Sequence, residues 1–99
     1  MVIWTDRAKK HLTNFIDNAY KDTPLAKTYI LKLVDYANML ENMKYLGVKL
    51  NIYKDNENIR QLIYKSHRII YMIQEEQVYI VAVLNTKMDF KSMVNEYFD

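Results

Sequence analysis

The chain has no cysteine, one glycine, one proline and two histidines among its 99 residues. The absence of cysteine excludes disulfides and thiolate chemistry, and it leaves the redox compartment open. His11 and His67 lie too far apart in sequence to give metal-ligand spacing, so we expect no metal site and no cofactor. A glycine-rich phosphate loop and a nucleophile motif are also missing, which leaves no recognisable catalytic constellation.

The chain also has a low net charge and no long hydrophobic run. A formal net charge of +2 is too small to establish a nucleic-acid partner. No apolar stretch approaches membrane-spanning length, and Asp6 and Arg7 follow the apolar start of the chain at once. We therefore expect no signal peptide, no contact with a membrane, and a cytoplasmic protein made of one domain, residues 1–99.

Isoleucine, valine and tyrosine dominate the last third of the chain. Residues 59–64, 68–73 and 77–85 are three such runs, and polar residues separate them. Such runs predict consecutive antiparallel strands. Glu75 and Glu76 fall between the last two strands, where a solvated turn is favoured over a catalytic carboxylate pair. His67 falls in or beside the other turn, and we expect it to be exposed to solvent.

A first amphipathic helix precedes this region. Thr5 can cap the helix, and Asp6 suits the positive end of the helix dipole. Apolar residues then recur at spacings of three and four, which predicts a helix from Asp6 to Tyr20 or Lys21. His11 lies on the expected outer side of this helix, where we interpret it as a solvated residue.

A second helix begins at Pro24, since proline suits the first helical position behind Thr23. It is expected to end at Gly47, which is free to take the left-handed cap conformation. The short connection between the two helices predicts antiparallel neighbours, a helical hairpin.

The remaining segments complete the fold prediction. Met1–Trp4 and Val48–Tyr53 are expected strands, Lys54–Asn58 a polar loop, and Met88–Phe98 a short last helix. The order predicts an α+β fold in which an antiparallel helical hairpin packs on one face of a small antiparallel sheet.

Strict alternation along the strands distributes apolar residues to both faces of this sheet. In the last strand it gives one face to Val78, Ile80, Ala82 and Leu84. Helices can cover only one face. The other face then needs a partner chain, the C-terminal segment or a second copy to cover it.

Basic residues spread over the expected sheet and its rims are the candidates for contact with a target. They could grip phosphates or an acidic protein surface, or they could form a solvated rim of lysines with two arginines in structural ion pairs. The sequence leaves both readings open. The candidates are Lys49, Lys54, Arg60, Lys65, Arg68 and Lys87.

Several short motifs follow one another in order over nearly the whole chain. R-x-L, x-R-I-I-Y and V-L-x-x-K-M-D succeed each other in the last third. The segments are Trp4–Leu12, Leu46–Gly47, Ile59–Leu62, His67–Tyr71 and Val81–Asp89. Together they resemble the RelE/ParE toxins of bacterial type II toxin–antitoxin systems. The resemblance implies the same strand, helix, helix and sheet order, and a cognate antitoxin that lies over the toxin and oligomerises with it.

The resemblance also implies two alternative mechanisms. Residues at the end of the last predicted strand indicate which of the two this chain uses. RelE-like members resemble ribonucleases that cut messenger RNA on the ribosome, and Arg60, Arg68 and Lys87 match their basic positions. Such an enzyme needs a group that transfers protons, and Asn85 cannot do so at neutral pH. Tyr97 could substitute only if the tail folded back.

The ending Leu84–Asp89 looks more like the ParE branch, whose members resemble inhibitors of DNA gyrase. We therefore expect a gyrase inhibitor rather than an enzyme, with target-binding residues Arg60, Arg68, Asn85 and Lys87. A ribosome-dependent mRNA endonuclease and an inactive, degenerate toxin fold are the alternatives.

Overall fold

The computed structural model describes residues 1–15, 24–50 and 58–86. The α+β prediction is confirmed in these ranges, where two helices lie beside one sheet. The elements are β1 (Val2–Trp4), α1 (Asp6–Phe15), α2 (Pro24–Asn38), a 3-10 turn (Met39–Glu41), β2 (Val48–Lys49), β3 (Ile59–Tyr64), β4 (His67–Gln74) and β5 (Gln77–Asn85).

The sheet has the strand order β1-β5-β4-β3-β2. Strands β2 to β5 are antiparallel neighbours, as their sequences predict. Strand β1 instead lies parallel to β5, with Val2 opposite Val78, so the sheet is mixed where the sequence predicted an antiparallel one. After β1 the chain enters α1, which continues along β5 in the same direction. His11 of α1 therefore contacts Val83, farther along β5.

The helices cover one face of the sheet, here called the helix face. Ala8 of α1 and Leu33, Ala37 of α2 are fully buried in one cluster with strand residues. The strand residues of that cluster are Leu62, Ile69, Tyr71, Ile73, Val78, Ile80 and Val83. Removing this apolar surface from water is the main driving force that holds the helices on the sheet.

The other face, here called the second face, carries a smaller apolar cluster. Its members are Leu50, Ile59, Ile70, Ala82 and Leu84. All five are buried within this single chain. Which of the three covers named from the sequence lies over this face stays a prediction. Val48 and Ile63 belong to the same face by register, and they remain 68% and 51% exposed.

A β-bulge divides β5 between the two faces. Ile70 lies opposite Ala82, whereas the next residue, Tyr71, lies opposite Ile80, so Val81 is the extra residue. The prediction that Val78, Ile80, Ala82 and Leu84 share one face was therefore wrong: the first two pack on the helix face and the last two on the second face. One extra residue reverses the alternation beyond it, and a sequence pattern does not show where it is inserted.

Thr5 begins α1 as predicted and also attaches it to the sheet. Its hydroxyl oxygen accepts from the Ala8 N–H at 3.3 Å, while the hydroxyl donates to the Ile80 carbonyl at 2.8 Å. The cap therefore satisfies an orphan donor of the helix and a strand carbonyl together. The predicted continuation of α1 beyond Phe15 lies outside the described residues.

The second helix begins at Pro24 as predicted, but it ends earlier than Gly47. The regular helix stops at Asn38 and tightens into the 3-10 turn, which buries Leu40 completely. Asn38 uses its side-chain oxygen to accept from the Trp4 indole N–H at 3.2 Å and makes no cap hydrogen bond. Packing rather than a glycine cap ends this helix. Gly47 has no left-handed backbone conformation, so that part of the prediction was also wrong.

The turn between β4 and β5 is built from Glu75 and Glu76, which are exposed as predicted. Both have positive φ, 51° and 68°, the backbone of a two-residue hairpin turn in which glycine and asparagine are preferred.

The double substitution Glu75→Asn, Glu76→Gly should therefore stabilise the fold by about 1 kcal/mol, although it removes the exposed Lys44–Glu76 ion pair. We expect Tm to rise by roughly 4–8 °C in calorimetry. Glu76→Gln, which keeps the backbone strain, is the control, and an unchanged Tm in the double variant would contradict this account.

Two predicted elements fall largely outside the described residues. The strand predicted over Val48–Tyr53 is observed as β2 for its first two residues, and residues 51–57 are not described. The predicted last helix, Met88–Phe98, and Tyr97 within it lie beyond residue 86.

Candidate target-binding surface

Arg60 lies on the helix face of β3, where it is held by the connection before β2. Its Nη1 donates to the Gly47 carbonyl at 2.8 Å, and its guanidinium stacks 4.9 Å from the centre of the Tyr45 ring. Arg60 forms no ion pair with a carboxylate among the described residues. The side chain therefore fixes the shape of this connection through a hydrogen bond and a cation–π contact.

Tyr71 of β4 lies beside Arg60 and completes a buried polar network. Its hydroxyl accepts from the Gly47 N–H at 2.8 Å and donates to the Lys44 carbonyl at 2.8 Å. Burial raises the pKa of Tyr71, and the Gly47 hydrogen bond and the Arg60 charge oppose that rise. The phenol therefore stays protonated, which both of its hydrogen bonds require.

Arg68 lies on the opposite side of the sheet from Arg60. It belongs to the second face together with Ile70 and Met72, and its Nη1 donates to the Gln61 side-chain oxygen at 2.8 Å. Across the hairpin its register partner is Ile63, which is half exposed. A half-buried guanidinium beside an exposed apolar side chain can combine a charged contact with apolar burial at a protein interface.

Asn85 lies at the end of β5, opposite His67, and thus on the helix face. Arg60 shares that face but pairs with Tyr71, four residues along β4 from His67, which is roughly 13 Å. Lys87 lies outside the described residues. The three predicted target-binding residues that the structure describes therefore do not converge: Arg68 is on one face, and Arg60 and Asn85 are well apart on the other.

Neither histidine is the solvated residue that the sequence analysis expected. His67 is 4% exposed, and its Nδ1 lies 2.7 Å from the Tyr29 hydroxyl oxygen of α2. His11 is half-buried, and its Nδ1 accepts from the Val83 N–H of β5 at 3.1 Å. Both predictions were wrong because the position of a residue in a helix or beside a turn does not show which residue of the neighbouring element it contacts.

Sequence reasoning missed Gly47 and Tyr71 as the centre of the network around Arg60. The single glycine of the chain is a signal, but its place after a helical pattern favours a helix cap. A Cβ at Gly47 would lie 2.5 Å from the Gln61 carbonyl oxygen and 2.7 Å from the Tyr71 hydroxyl. Glycine is needed here for space, which depends on a tyrosine 24 positions away in the sequence.

The described part of the chain contains no cluster of three histidine, aspartate or glutamate residues that could hold a metal ion. Among the same residues, none of the helices is both long and apolar enough to cross a membrane.

The family model described as "ParE toxin of type II toxin-antitoxin system, parDE" matches residues 2–90. Among solved structures, a chain of the chromosomal ParDE TA system from P. aeruginosa is similar, with a TM-score of 0.65 and 12% sequence identity. The similarity covers 87% of this chain and 95% of that chain, and at this identity it shows the fold alone. No curated protein matches the chain.

Proposed function

Since the chain belongs to the ParE toxin family of type II toxin–antitoxin systems, we propose that it inhibits DNA gyrase and is neutralised by a cognate antitoxin. It acts as a single cytoplasmic domain, and it forms a hetero-oligomer with the antitoxin when it is silenced. The proposal extends the family assignment, which rests on the match over residues 2–90, to a target and a partner.

The placement of the arginines is the observation that favours binding over RNA cleavage. An endonuclease of the RelE kind needs cations that converge on one phosphate and a group that moves the 2′-hydroxyl proton. Arg60 and Arg68 lie on opposite faces of the sheet, and Arg60 is already engaged with Gly47 and Tyr45. His11 and His67 are both committed to hydrogen bonds inside the fold. The separation of the arginines and the hydrogen bonds of the histidines therefore favour an inhibitor that binds its target without a catalytic step.

Arg68 is the residue through which we propose that the second face contacts the target. It is oriented by Gln61 and flanked by the exposed side chain of Ile63, and exposed Val48 lies on the same face. Lys87 follows β5 in sequence, and we propose that it adds a further positive charge to the contact. Arg60 contributes indirectly, by holding the connection around Gly47, and Asn85 contributes from the helix face.

The test is a supercoiling assay with purified gyrase and purified protein. We expect the wild-type chain to inhibit supercoiling and to accumulate cleaved DNA, and Arg68→Ala to raise the half-inhibitory concentration roughly tenfold or more, the effect of one lost charge-assisted contact. The matched control is Arg7→Ala, which removes an exposed arginine of α1. Circular dichroism should show that both variants are folded.

Four outcomes would overturn parts of this proposal. Unchanged supercoiling at high protein excess would remove gyrase as the target. Intact DNA together with transcripts cut in the ribosomal A site after induction would establish the endonuclease alternative. Normal growth on strong induction without antitoxin would indicate a degenerate toxin fold. Equal loss of inhibition in Arg68→Ala and Arg7→Ala would remove the special role of the second face.

A further inference from the structure

Each of the two α-helices in the described residues is attached to the sheet by the Nδ1 atom of a histidine. His11 connects α1 to β5 through the Val83 N–H at 3.1 Å, and His67 connects β4 to α2 through the Tyr29 hydroxyl at 2.7 Å. These are the only two histidines of the chain. Histidine is the side chain whose ordinary pKa puts its change of charge near neutral pH.

The contact of His11 fixes its protonation state. Strand β1 pairs with β5 only as far as Ile80, and beyond that point α1 lies along β5. A backbone N–H can only donate, so the Nδ1 that accepts from Val83 carries no proton and the ring is neutral. Protonation of Nδ1 would place its N–H against the Val83 N–H, so that two donors would face each other. The charged group one turn earlier on α1 is Arg7, and β5 presents no titratable side chain from Val81 to Asn85.

The contact of His67 lies in an aromatic cluster between α2 and the β3–β4 hairpin. The Tyr29 ring packs 5.5 Å from the His67 ring and 5.6 Å from the Tyr64 ring, measured between centroids. The Lys65 ammonium lies 5.8 Å and 5.6 Å from the same two tyrosine rings. Two phenols and one cation thus lie around His67, with Asn85 opposite it on β5. A second positive charge is disfavoured in this setting.

We propose that the helical layer is an acid-sensitive switch, in which protonation of His11 and His67 loosens both helices and uncovers the apolar helix face of the sheet. The sign follows from the neutral ring that the Val83 contact requires of His11, and from the burial of His67, which disfavours its charged form. Burial also lowers the pKa of His67 below its usual value. The loosened state binds more protons than the folded one, so its population grows as the pH falls below about 6.5. This inference is independent of the target proposed above.

The experiment measures amide hydrogen exchange of the full chain between pH 7.5 and 5.0, expressed as protection factors so that the intrinsic pH dependence cancels. We expect the protection of α1 and α2 to fall roughly tenfold or more, since a one-unit pKa difference changes an equilibrium up to tenfold. An apolar dye that fluoresces on exposed hydrophobic surface should brighten over the same range.

The double variant His11→Asn, His67→Asn is the matched control. The asparagine side-chain oxygen occupies nearly the position of Nδ1 and accepts the same hydrogen bonds, but it does not titrate. We expect this variant to keep its helix protection down to pH 5.0. Retention of the wild-type pH dependence in the variant would overturn the proposal, as would a loss of protection confined to the strands.

A second measurement keeps the proposal testable if the asparagine variant does not fold. Imidazole nitrogen chemical shifts of the wild-type protein report which ring nitrogen carries the proton. We expect both rings to be neutral at pH 7.5, with Nδ1 of His11 unprotonated, and each ring to gain a proton together with the loss of helix protection. A protonated Nδ1 on His11 at pH 7.5 would overturn the proposal.

Discussion

Gly47→Ala should destabilise the fold by about 3 kcal/mol, the upper end of what overpacking costs. The added Cβ would lie 2.5 Å from the Gln61 carbonyl oxygen and 2.7 Å from the Tyr71 ring and hydroxyl. The first of these is the backbone of β3, which cannot move away as a flexible side chain can. Because Gly47 also binds Tyr71 and Arg60, shifting it would disturb three hydrogen bonds together, one of them buried and two part-buried.

Calorimetry and urea unfolding measure this effect, and we expect Tm to fall by roughly 12–24 °C for a domain of this size. Met43→Ala is the control in the same connection, since Met43 is 47% exposed and its truncation should change the stability by less than about 0.5 kcal/mol. Equal effects of the two substitutions would show that the connection is not packed as described. A Gly47→Ala variant as stable as the wild type would show that the connection can shift without loss.

Tyr71→Phe should cost about 2–3 kcal/mol although it removes a single oxygen atom. The hydroxyl is the partner of the buried Gly47 N–H and of the Lys44 carbonyl. Leaving buried polar backbone groups without partners costs more than one average hydrogen bond, because the groups lose water and gain nothing. The ring itself is fully buried and its apolar contacts remain in phenylalanine, so the measured change in the free energy of unfolding reports the hydroxyl.

Tyr79→Phe is the matched control for this substitution. Tyr79 lies on the neighbouring strand β5, and its hydroxyl has only a long, exposed contact of 3.5 Å to the Gln77 side chain. We expect its loss to change stability by less than about 0.5 kcal/mol. The double variant Gly47→Ala, Tyr71→Phe gives a further check. It removes the overlap with the hydroxyl but not the overlap with Gln61. The destabilisation of the double variant should therefore be smaller than the sum of the destabilisations of the two single variants. Full additivity would contradict the network.

Local features of the sequence predicted most elements of the fold. Thr5 as a helix cap, Pro24 as a helix start, the β-branched runs of β3 to β5 and the Glu75–Glu76 turn are all observed. These features depend on residues within a few positions of each other, so their physics is visible in the sequence. The candidate surface was predicted less completely: Arg60 and Arg68 were named, but their separation onto opposite faces was not.

The sequence by itself determined the α+β class, the order of the elements and the absence of cysteine chemistry, because periodicity, caps and composition are local quantities. Only the tertiary structure decided the contacts between distant segments. The bulge at Val81 redistributed β5 between the faces, β1 joined β5 in parallel, and both histidines form hydrogen bonds across the helix–sheet interface. Gly47 illustrates the reason: its requirement for glycine is set by the space that Tyr71 and Gln61 leave, and that space exists only in the folded chain.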